Sequence, residues 1–202
     1  MNPFLRGAER PVPVLNIAHR GARTVAPENT LVAFAEALRR GAHMIECDVR
    51  FTVDEIPILH HDASLDRMTD VARRHPDRAP YRVRDFSADE IAELEAGGGA
   101  RVPLLRDALH WARDSGMYLN VEVKSASRSQ IEKVVTVIGS AGMTERVILS
   151  SFDHEAVHRA KRHQPRLATA VLSGNRLIDP IRYVVELVGA DAYHPGCAGE
   201  YD

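Results

Sequence analysis

The sequence of 202 residues predicts an α/β protein whose parallel sheet closes into a (β/α)8 TIM barrel. Three observations support this fold class. Short apolar segments typical of buried strands alternate with amphipathic segments typical of helices along most of the chain. Acidic, basic and imidazole side chains interrupt these strands or follow them, where barrels carry their functional residues. No glycine-rich phosphate-binding motif follows the first strand, which makes an open nucleotide-binding sheet less favoured.

The composition is that of an ordinary globular protein. The hydrophobic fraction is 45%, the charged fraction is 27% and the net charge is −2. Because there is no overall positive charge and aromatic residues are few, nucleic-acid binding is not expected. No apolar stretch approaches the ~20 residues that span a bilayer, and the first residues lack the apolar core of a signal peptide. We therefore expect a cytoplasmic protein without a transmembrane segment, in which Cys47 and Cys197 are reduced thiols.

The first part of the chain contains three predicted strands and one predicted helix. The first strand ends at a turn that begins with His19. The helix begins with Asn29 or Thr30 as its N-cap and shows one apolar face. The predicted strands cover residues 14–18, 44–50 and 56–60, and the helix ends at Gly41.

Residues 62–100 do not follow this alternation. They are rich in Arg and Asp and contain one convincing short helix, at 87–94, which begins with a capping box formed by Ser87 and Glu90. A long irregular segment inside a compact domain usually has a function or forms a small module. We therefore expect a single domain over residues 1–202 with a small inserted subdomain at 62–100.

Regular alternation resumes after residue 100. The pattern predicts further helices and strands in turn, as a parallel sheet with crossover helices requires. The predicted helices cover 104–114, 130–140, 155–163 and 178–188, and the predicted strands cover 118–124, 147–151, 167–172 and 191–194.

Two of the predicted strands carry polar residues on one face. Apolar residues alternate with Glu46 and Asp48 in the first, and with Glu122 and Lys124 in the second. If the apolar faces pack against outer helices, these four side chains point into the barrel, whose interior normally holds Val, Ile and Leu. Carboxylates buried there without a cation repel one another and lose hydration, at a cost of roughly several kcal/mol each.

Two interpretations of this acidic cluster follow. Hard divalent cations such as Mg²⁺ and Ca²⁺ bind carboxylate oxygens, and water or a substrate phosphate completes their shell. Alternatively, Lys124 or Arg20 forms the centre of a buried salt-bridge network that contains no metal. Both strands carry their acidic residues on the face opposite to the apolar residues, and this agreement favours the interpretation with a bound metal.

His19 and His61 follow predicted strands at the carboxyl end of the barrel. Two imidazoles that flank a phosphodiester can act as general base and general acid. Arg20 and Lys124 offer the fixed positive charge that a phosphate binds. Asp62 is expected to orient a histidine or to cap the loop rather than to bind a metal. These residue types together indicate metal-assisted cleavage of a phosphodiester.

The combined motifs resemble those of the glycerophosphodiester phosphodiesterase family, within the phospholipase-C-like phosphodiesterase superfamily. The resemblance runs from about residue 14 to residue 195, and its pieces are specific only in combination. They are AHRG at 18–21, PENT at 27–30, ECDV at 46–49, HD at 61–62, EVK at 122–124 and SSF at 150–152.

The resemblance implies a phosphoric diester hydrolase with a barrel of the phospholipase-C-like type. It implies that small glycerophosphodiesters, such as glycerophosphocholine, are cleaved to glycerol 3-phosphate and an alcohol. The neighbouring glycerol hydroxyl would attack phosphorus first, and water would then open the resulting cyclic phosphate. The implied site has three parts: the ligands of one Ca²⁺ or Mg²⁺ ion, Glu46, Asp48 and Glu122; the acid–base pair, His19 and His61; and the phosphate-binding residues, Arg20 and Lys124.

Two features depart from the family pattern. Glu55 lies in a turn where the family usually has glycine, which costs roughly 1 kcal/mol in a left-handed conformation. The Trp-Thr-Val-Asn-like and Asp-Gly-Ile-Ile-Thr-Asp motifs of the last family strands are absent, and the one tryptophan, Trp111, falls in a predicted helix. We therefore expect a barrel that lacks its last one or two strands, and a homo-oligomer would protect its open edge.

Two alternatives to this function stay open at the level of sequence. An incomplete barrel is compatible with a non-catalytic or binding homologue that keeps the site residues. The same chemistry also fits a lysophospholipase D-like phosphodiesterase. An apolar rim on the inserted subdomain would favour it, and Tyr81, Val83 and Phe86 are too few to decide between the two.

Overall fold

Seven strands form one sheet in the computed structural model, which describes residues 2–5 and 14–196. The strands are β1 (Ile17–His19), β2 (Met44–Phe51), β3 (Pro57–Leu59), β4 (Tyr118–Val123), β5 (Val147–Ser151), β6 (Ala168–Ser173) and β7 (Ala192–Pro195). The helices are α1 (Leu31–Arg39), α2 (Val71–Arg74), α3 (Ala88–Ala92), α4 (Leu105–Ser115), α5 (Arg128–Ser140) and α6 (His154–His163). A π-helix, Arg182–Val188, precedes β7 and corresponds to the end of the predicted helix at 178–188.

The sheet is a curled, open section of a barrel. β1, β2, β4, β5, β6 and β7 lie side by side in this order, and all neighbours in the series are parallel. β3 pairs with β2 in the antiparallel direction. Within the described residues, β1 and β7 do not pair with each other. The prediction of a TIM-barrel-like α/β fold that lacks some strands is therefore confirmed.

The first strand differs most from its prediction. It covers Ile17–His19 instead of 14–18, and Ile17 is 42% exposed although a buried strand was expected. In the described sheet, β2 is the one strand that is hydrogen-bonded to β1. An apolar sequence pattern indicates a strand but does not reveal that the strand lies at the edge of the sheet.

The apolar side chains of the two central strands face the outer helices, as their alternation predicts. Ile45, Cys47 and Val49 of β2 and Val121 and Val123 of β4 are at most 1% exposed. They share one cluster with residues of α1, α4, α5 and α6. Each buried aliphatic side chain of this size contributes ~1.5–3 kcal/mol. Because this packing fixes one face of β2 and β4, it also fixes the opposite face, which carries the acidic residues.

The starts of two helices follow the predicted capping residues. Of the two candidates before α1, Thr30 is the N-cap, because its Oγ1 accepts a hydrogen bond from the Ala33 amide at 3.2 Å. Before α3, the Glu90 amide donates to Ser87 Oγ at 3.2 Å and the Ser87 amide donates to Glu90 Oε2 at 2.8 Å. The predicted capping box is therefore confirmed.

Residues 62–100 contain more helical structure than the single helix that the sequence predicts. The helix α2 and two 3₁₀ turns, Pro76–Arg78 and Val83–Asp85, precede α3. Each is too short to produce a hydrophobic period in the sequence. Val83 is 2% exposed and Phe86 is 0% exposed, because both belong to an apolar cluster separate from that of the central strands. These two side chains therefore do not form an apolar rim.

None of the helices in the described ranges is long and apolar enough to cross a membrane. Cys47 is a free, buried thiol, and Cys197 lies outside the described residues.

Gly21 is expected to be less tolerant of substitution than other glycines with positive φ. Its φ is 80°, and a Cβ there would lie 2.8 Å from the carbonyl carbon and from the Cβ of Ala33 in α1. We expect Gly21→Ala to lower the free energy of unfolding by roughly 1 kcal/mol for the left-handed backbone and by a further ~1–3 kcal/mol for the overlap. Urea unfolding of the purified proteins measures the change.

Gly41→Ala is the matched control. Gly41 also has a φ of 80°, but a Cβ there has nothing within 4 Å. Equal losses in the two variants would show that the contact with α1 does not constrain Gly21.

Candidate active site

Three buried carboxylates meet on the polar face of β2 and β4. Glu46 and Asp48 lie two positions apart on β2. In the parallel pairing of β2 with β4, Glu122 lies beside Asp48. Their exposed fractions are 7%, 0% and 8%. One carboxylate oxygen from each lies within 4.8 Å of the other two, an arrangement that can hold a metal ion. Within the predicted barrel, the alternation of apolar and polar residues in these two strands therefore predicts that the three carboxylates lie together.

Two cationic side chains lie against the carboxylates. Lys124 Nζ lies 2.8 Å from Asp48 Oδ1 and also contacts Glu122 Oε1. Arg20 Nε lies 3.3 Å from Asp48 Oδ2. The ion pairs that the salt-bridge interpretation requires are thus present, and the question is whether they satisfy the whole cluster.

The ion pairs leave part of the carboxylate cluster unsatisfied. Glu46 Oε1 is buried and accepts no hydrogen bond, and Asp48 Oδ1 lacks hydrogen-bond geometry despite its ion pair with Lys124. When all three carboxylates are ionised, as metal ligands must be, their negative charge exceeds the positive charge of Arg20 and Lys124. Unpaired buried oxygens and excess negative charge are what a hard divalent cation compensates. The donor set therefore fits Ca²⁺ or Mg²⁺.

The protein environment shifts the pKa values of Glu46 and Asp48 in opposite directions. Burial, and then the negative charges of Asp48 and Glu122, raise the pKa of Glu46 to about 8. Burial also favours the neutral form of Asp48, but its contacts with Lys124 and Asn29 outweigh burial and hold its pKa below the ordinary value. Without a bound cation, Glu46 is therefore largely protonated at neutral pH while Asp48 is ionised.

Asn29 is a site residue that the sequence analysis missed. Its Nδ2 donates to Asp48 Oδ2 at 2.8 Å, and its Oδ1 accepts from the Asp48 amide at 3.1 Å. The φ of Asn29 is 57°, a conformation that Asn adopts more readily than most residues. A position just before a helix made this residue a candidate N-cap, and the distant contact with β2 leaves no signal in the local sequence.

Arg20 is fixed through both its backbone and its side chain. Its φ is 60°, and its amide donates to the backbone O and to Oε2 of Glu46 at 2.9 and 3.0 Å. Its Nη1 donates to Glu28 Oε1 at 3.1 Å. Glu28 was also missed, since its motif was interpreted only as a helix start. Arg20 is thus held at the carboxylates by contacts that come from before and after α1.

The two predicted catalytic histidines lie at the same rim. His19 ends β1, its side chain is 52% exposed, and its Nε2 lies 3.7 Å from Glu46 Oε2. His61 follows β3, and its Nδ1 is hydrogen-bonded to Asp62 Oδ1 at 2.7 Å. Burial, followed by the charges of Arg20 and neighbouring Arg23, lowers the pKa of His19 below its ordinary value.

Arg67, which the sequence analysis did not single out, connects His61 to the opposite side of the site. Its guanidinium pairs with Asp62 Oδ2 and, at 2.6 Å, with Glu28 Oε1. Burial raises the pKa of Asp62, but the hydrogen bonds from Arg67 and His61 outweigh it and lower that pKa overall. One chain of ion pairs and hydrogen bonds therefore links every predicted site residue except His19, which approaches Glu46 directly.

His60 stays outside this network. It is 3% exposed, and its Nε2 is hydrogen-bonded to the backbone O of Ser64 at 2.8 Å. Its side chain faces away from the carboxylates, as the alternation along the strand predicts.

Comparison with known proteins identifies the family. The model of the glycerophosphoryl diester phosphodiesterase family matches residues 19–199. This chain belongs to that family. The recognition from the motifs and the assignment to the phosphoric diester hydrolases are therefore confirmed.

Individual relatives agree with the family match. A glycerophosphodiester phosphodiesterase of Caldanaerobacter subterraneus is 33% identical over 191 residues, which cover 90% of this chain and 75% of the relative. An uncharacterised protein of Bacillus subtilis is 34% identical over 188 residues, which cover 88% of this chain and 74% of that protein.

Solved structures of the family share this fold. A glycerophosphoryl diester phosphodiesterase from Silicibacter pomeroyi superposes with a TM-score of 0.80 at 28% identity, covering 95% of this chain and 77% of that chain. A phosphodiesterase from Oleispira antarctica in complex with the product sn-glycerol-3-phosphate superposes with a TM-score of 0.75 at 25% identity. In that pair, the match covers 89% of this chain and 73% of the other.

In buffer without divalent cations, the free energy of unfolding is expected to fall as the pH rises from about 4.5 towards 8. The folded pKa of Glu46, about 8, lies above its ordinary value of 4.5, so the folded protein holds a proton that the unfolded chain releases. Stability contributed by that proton is complete below the unfolded pKa and is lost as the pH rises through the folded pKa. The loss is at most about 1.4 kcal/mol per pH unit. Urea unfolding at a series of pH values measures it.

Glu46→Gln cannot titrate and serves as the control, so its stability should vary less over the same range. The low pKa of Asp48 affects stability only at more acidic pH. The same pH dependence in both proteins would assign the effect to groups other than Glu46.

Proposed function

We propose that this protein hydrolyses glycerophosphodiesters to glycerol 3-phosphate and an alcohol with the help of one divalent cation. The proposal is carried by one observation: a buried triad of carboxylates contacts His19 and two cationic side chains, and a chain of ion pairs links it to a second imidazole, that of His61. The named function of the Caldanaerobacter relative and the product bound in the Oleispira structure support the substrate class. We further propose that the chain acts as a single domain in which 62–100 is a small insertion.

The carboxylate triad is the proposed metal site. Glu46, Asp48 and Glu122 supply the oxygen ligands that both Ca²⁺ and Mg²⁺ bind. When bound, the cation would polarise a phosphate oxygen of the substrate and compensate the negative charge of the three ionised carboxylates.

Arg20 and Lys124 are the proposed phosphate-binding residues. Both are fixed beside the triad by their ion pairs, which reduces the side-chain entropy that binding would otherwise cost. Guanidinium and ammonium groups stabilise the negative charge of a phosphodiester, and of the phosphorane-like state that forms during attack.

His19 is the proposed general base of the first step. Because its pKa is lowered, His19 is neutral at neutral pH and can accept a proton. It would take the proton of the glycerol hydroxyl next to the ester as that oxygen attacks phosphorus. The new P–O bond closes a cyclic phosphate, and the bond from phosphorus to the alcohol oxygen breaks.

His61 is the proposed general acid for the leaving alcohol. With Nδ1 bonded to the Asp62 carboxylate, the Nε2 proton of the imidazolium is available for the departing oxygen. In the second step the roles reverse: His61 takes a proton from water as the water oxygen attacks phosphorus. The ring bond from phosphorus to the glycerol oxygen that attacked in the first step breaks, and His19 returns its proton to that oxygen. The products are glycerol 3-phosphate and the alcohol.

Replacing either histidine should slow turnover without unfolding the protein. We expect His19→Ala and His61→Ala to lower kcat by ~10²- to 10⁴-fold, because each removes one proton transfer. The assay uses purified protein, added divalent cation and glycerophosphocholine. His163→Ala, at an exposed position at the end of α6, is the control and should keep full activity. Full activity of both site variants would eliminate the assigned roles.

Removal of divalent cations should abolish turnover. We expect EDTA to reduce the rate to background and an excess of Ca²⁺ or Mg²⁺ to restore it, because the cation would supply the positive charge that polarises the substrate phosphate. EDTA saturated with Ca²⁺ beforehand is the control for effects of the chelator itself. A rate that is indifferent to chelation would contradict the metal assignment.

A further inference from the structure

A cavity next to the catalytic rim is lined by arginines. Its volume is about 520 Å³, within the range of small-molecule sites in proteins. The residues that matter for its chemistry are Arg50, Arg82, Arg84, Ala63, Ser125 and Gln130.

Arg50 and Ser125 join this arginine cavity to the active site. Arg50 follows Asp48 by two positions on β2, so both side chains lie on the same face of the strand. Its Nε donates to the backbone O of His61 at 2.8 Å. Ser125 directly follows Lys124. The cavity is thus continuous with the rim that carries the proposed general acid.

Arg82 and Arg84 line the cavity from the 62–100 segment. Arg82 forms an antiparallel bridge with Ser64, and the Val83 amide donates to the backbone O of Ala63 at 3.0 Å. Because Ala63 lies two positions after His61, these contacts place the arginines beside the catalytic loop.

The arginines of this cavity lack direct carboxylate partners among the described residues, although the charges of Asp48, Asp62 and Glu122 act on Arg50 from the active site. Within the described ranges, Arg50, Arg82 and Arg84 form no ion pair, and the bond to His61 is their one side-chain hydrogen bond. Other arginines of the 62–100 segment are paired with carboxylates: Arg67, Arg73, Arg74 and Arg78. Like charges that converge on one cavity repel one another, and a bound anion relieves that repulsion.

We propose that the arginine cavity binds the alcohol part of the substrate when that alcohol carries a phosphomonoester. The inference rests on the proposed function, because it names which glycerophosphodiesters the site prefers. Guanidinium groups bind phosphate oxygens in pairs and keep their charge at every physiological pH. The cavity lies beside His61, which protonates the leaving alcohol, so the head group and not the glycerol would enter it.

Substrates that differ only in the head group test this preference. Glycerophosphoinositol 4-phosphate carries a phosphomonoester, and glycerophosphoinositol lacks it. We expect wild-type kcat/KM to be higher for the phosphorylated substrate, and Arg82→Gln/Arg84→Gln to lower that preference by at least about tenfold. The double variant should keep its activity on glycerophosphoinositol, since neither arginine belongs to the catalytic machinery.

Arg146→Gln/Arg162→Gln is the control for net charge. Both residues are exposed, and they precede β5 and end α6 respectively, at the end of the sheet opposite to the catalytic rim. This control should leave the substrate preference unchanged. A wild-type preference for the unphosphorylated substrate, or equal effects of the two double variants, would overturn the proposal.

Two further measurements separate this proposal from others. Calorimetric titration with inositol 4-phosphate does not require turnover, so binding that is lost in Arg82→Gln/Arg84→Gln supports the cavity even if the hydrolase activity is not found. If inositol 4-phosphate does not bind to the wild type, the proposal is overturned.

Arg82 and Arg84 are exposed, and sedimentation with phosphatidylglycerol vesicles tests whether they bind a membrane instead. Vesicle binding that depends on them, together with an unchanged substrate preference, would also overturn the head-group assignment.

Discussion

The burial of three carboxylates on one face of β2 and β4 is the constraint on which the site depends. Removing these groups from water is unfavourable, and the fold compensates with Arg20 and Asn29 from the loop between β1 and α1 and with Lys124 from the end of β4. The opposite faces of the same strands are fixed by apolar packing against the helices. A rotation of either strand would therefore expose apolar side chains and bury the acids against helices, so core packing and site geometry stabilise each other.

The inserted segment is tied to this constraint by charge. Arg67 links Asp62 to Glu28, and Glu28 in turn holds Arg20 against Asp48. The segment thus orients His61 on one side and supports a phosphate-binding residue on the other. Its own apolar cluster, which contains Phe86, gives it a rigid base from which to do so. This arrangement explains why a largely polar stretch interrupts the regular alternation of strands and helices.

Strand periodicity predicted that Glu46 and Asp48 share a face and that Glu122 lies on the inward face of its own strand, because side chains two positions apart on a strand share a face. The triad also requires β2 and β4 to be neighbours, which only the predicted barrel implied. The same reasoning predicted the inward direction of Lys124. It could not find Asn29, Glu28 or Arg67, since their roles depend on contacts between segments distant in sequence. It also misjudged β1, because the apolar residues of an edge strand look like those of a buried one. The family resemblance, rather than periodicity, supplied the roles of the histidines.

The position of β1 at the edge of the sheet affects the local stability of the active site. His19 lies on a three-residue strand that, in the described sheet, is hydrogen-bonded to β2 alone. A short strand at the edge of a sheet is held by few hydrogen bonds, so its amides should exchange with solvent faster than those of β4. The proposed base and the carboxylates would then have different local stabilities: the rigid part of the site would persist in molecules whose base is transiently displaced. Heating would reduce the fraction of molecules in which His19 is in place for catalysis before the sheet as a whole unfolds.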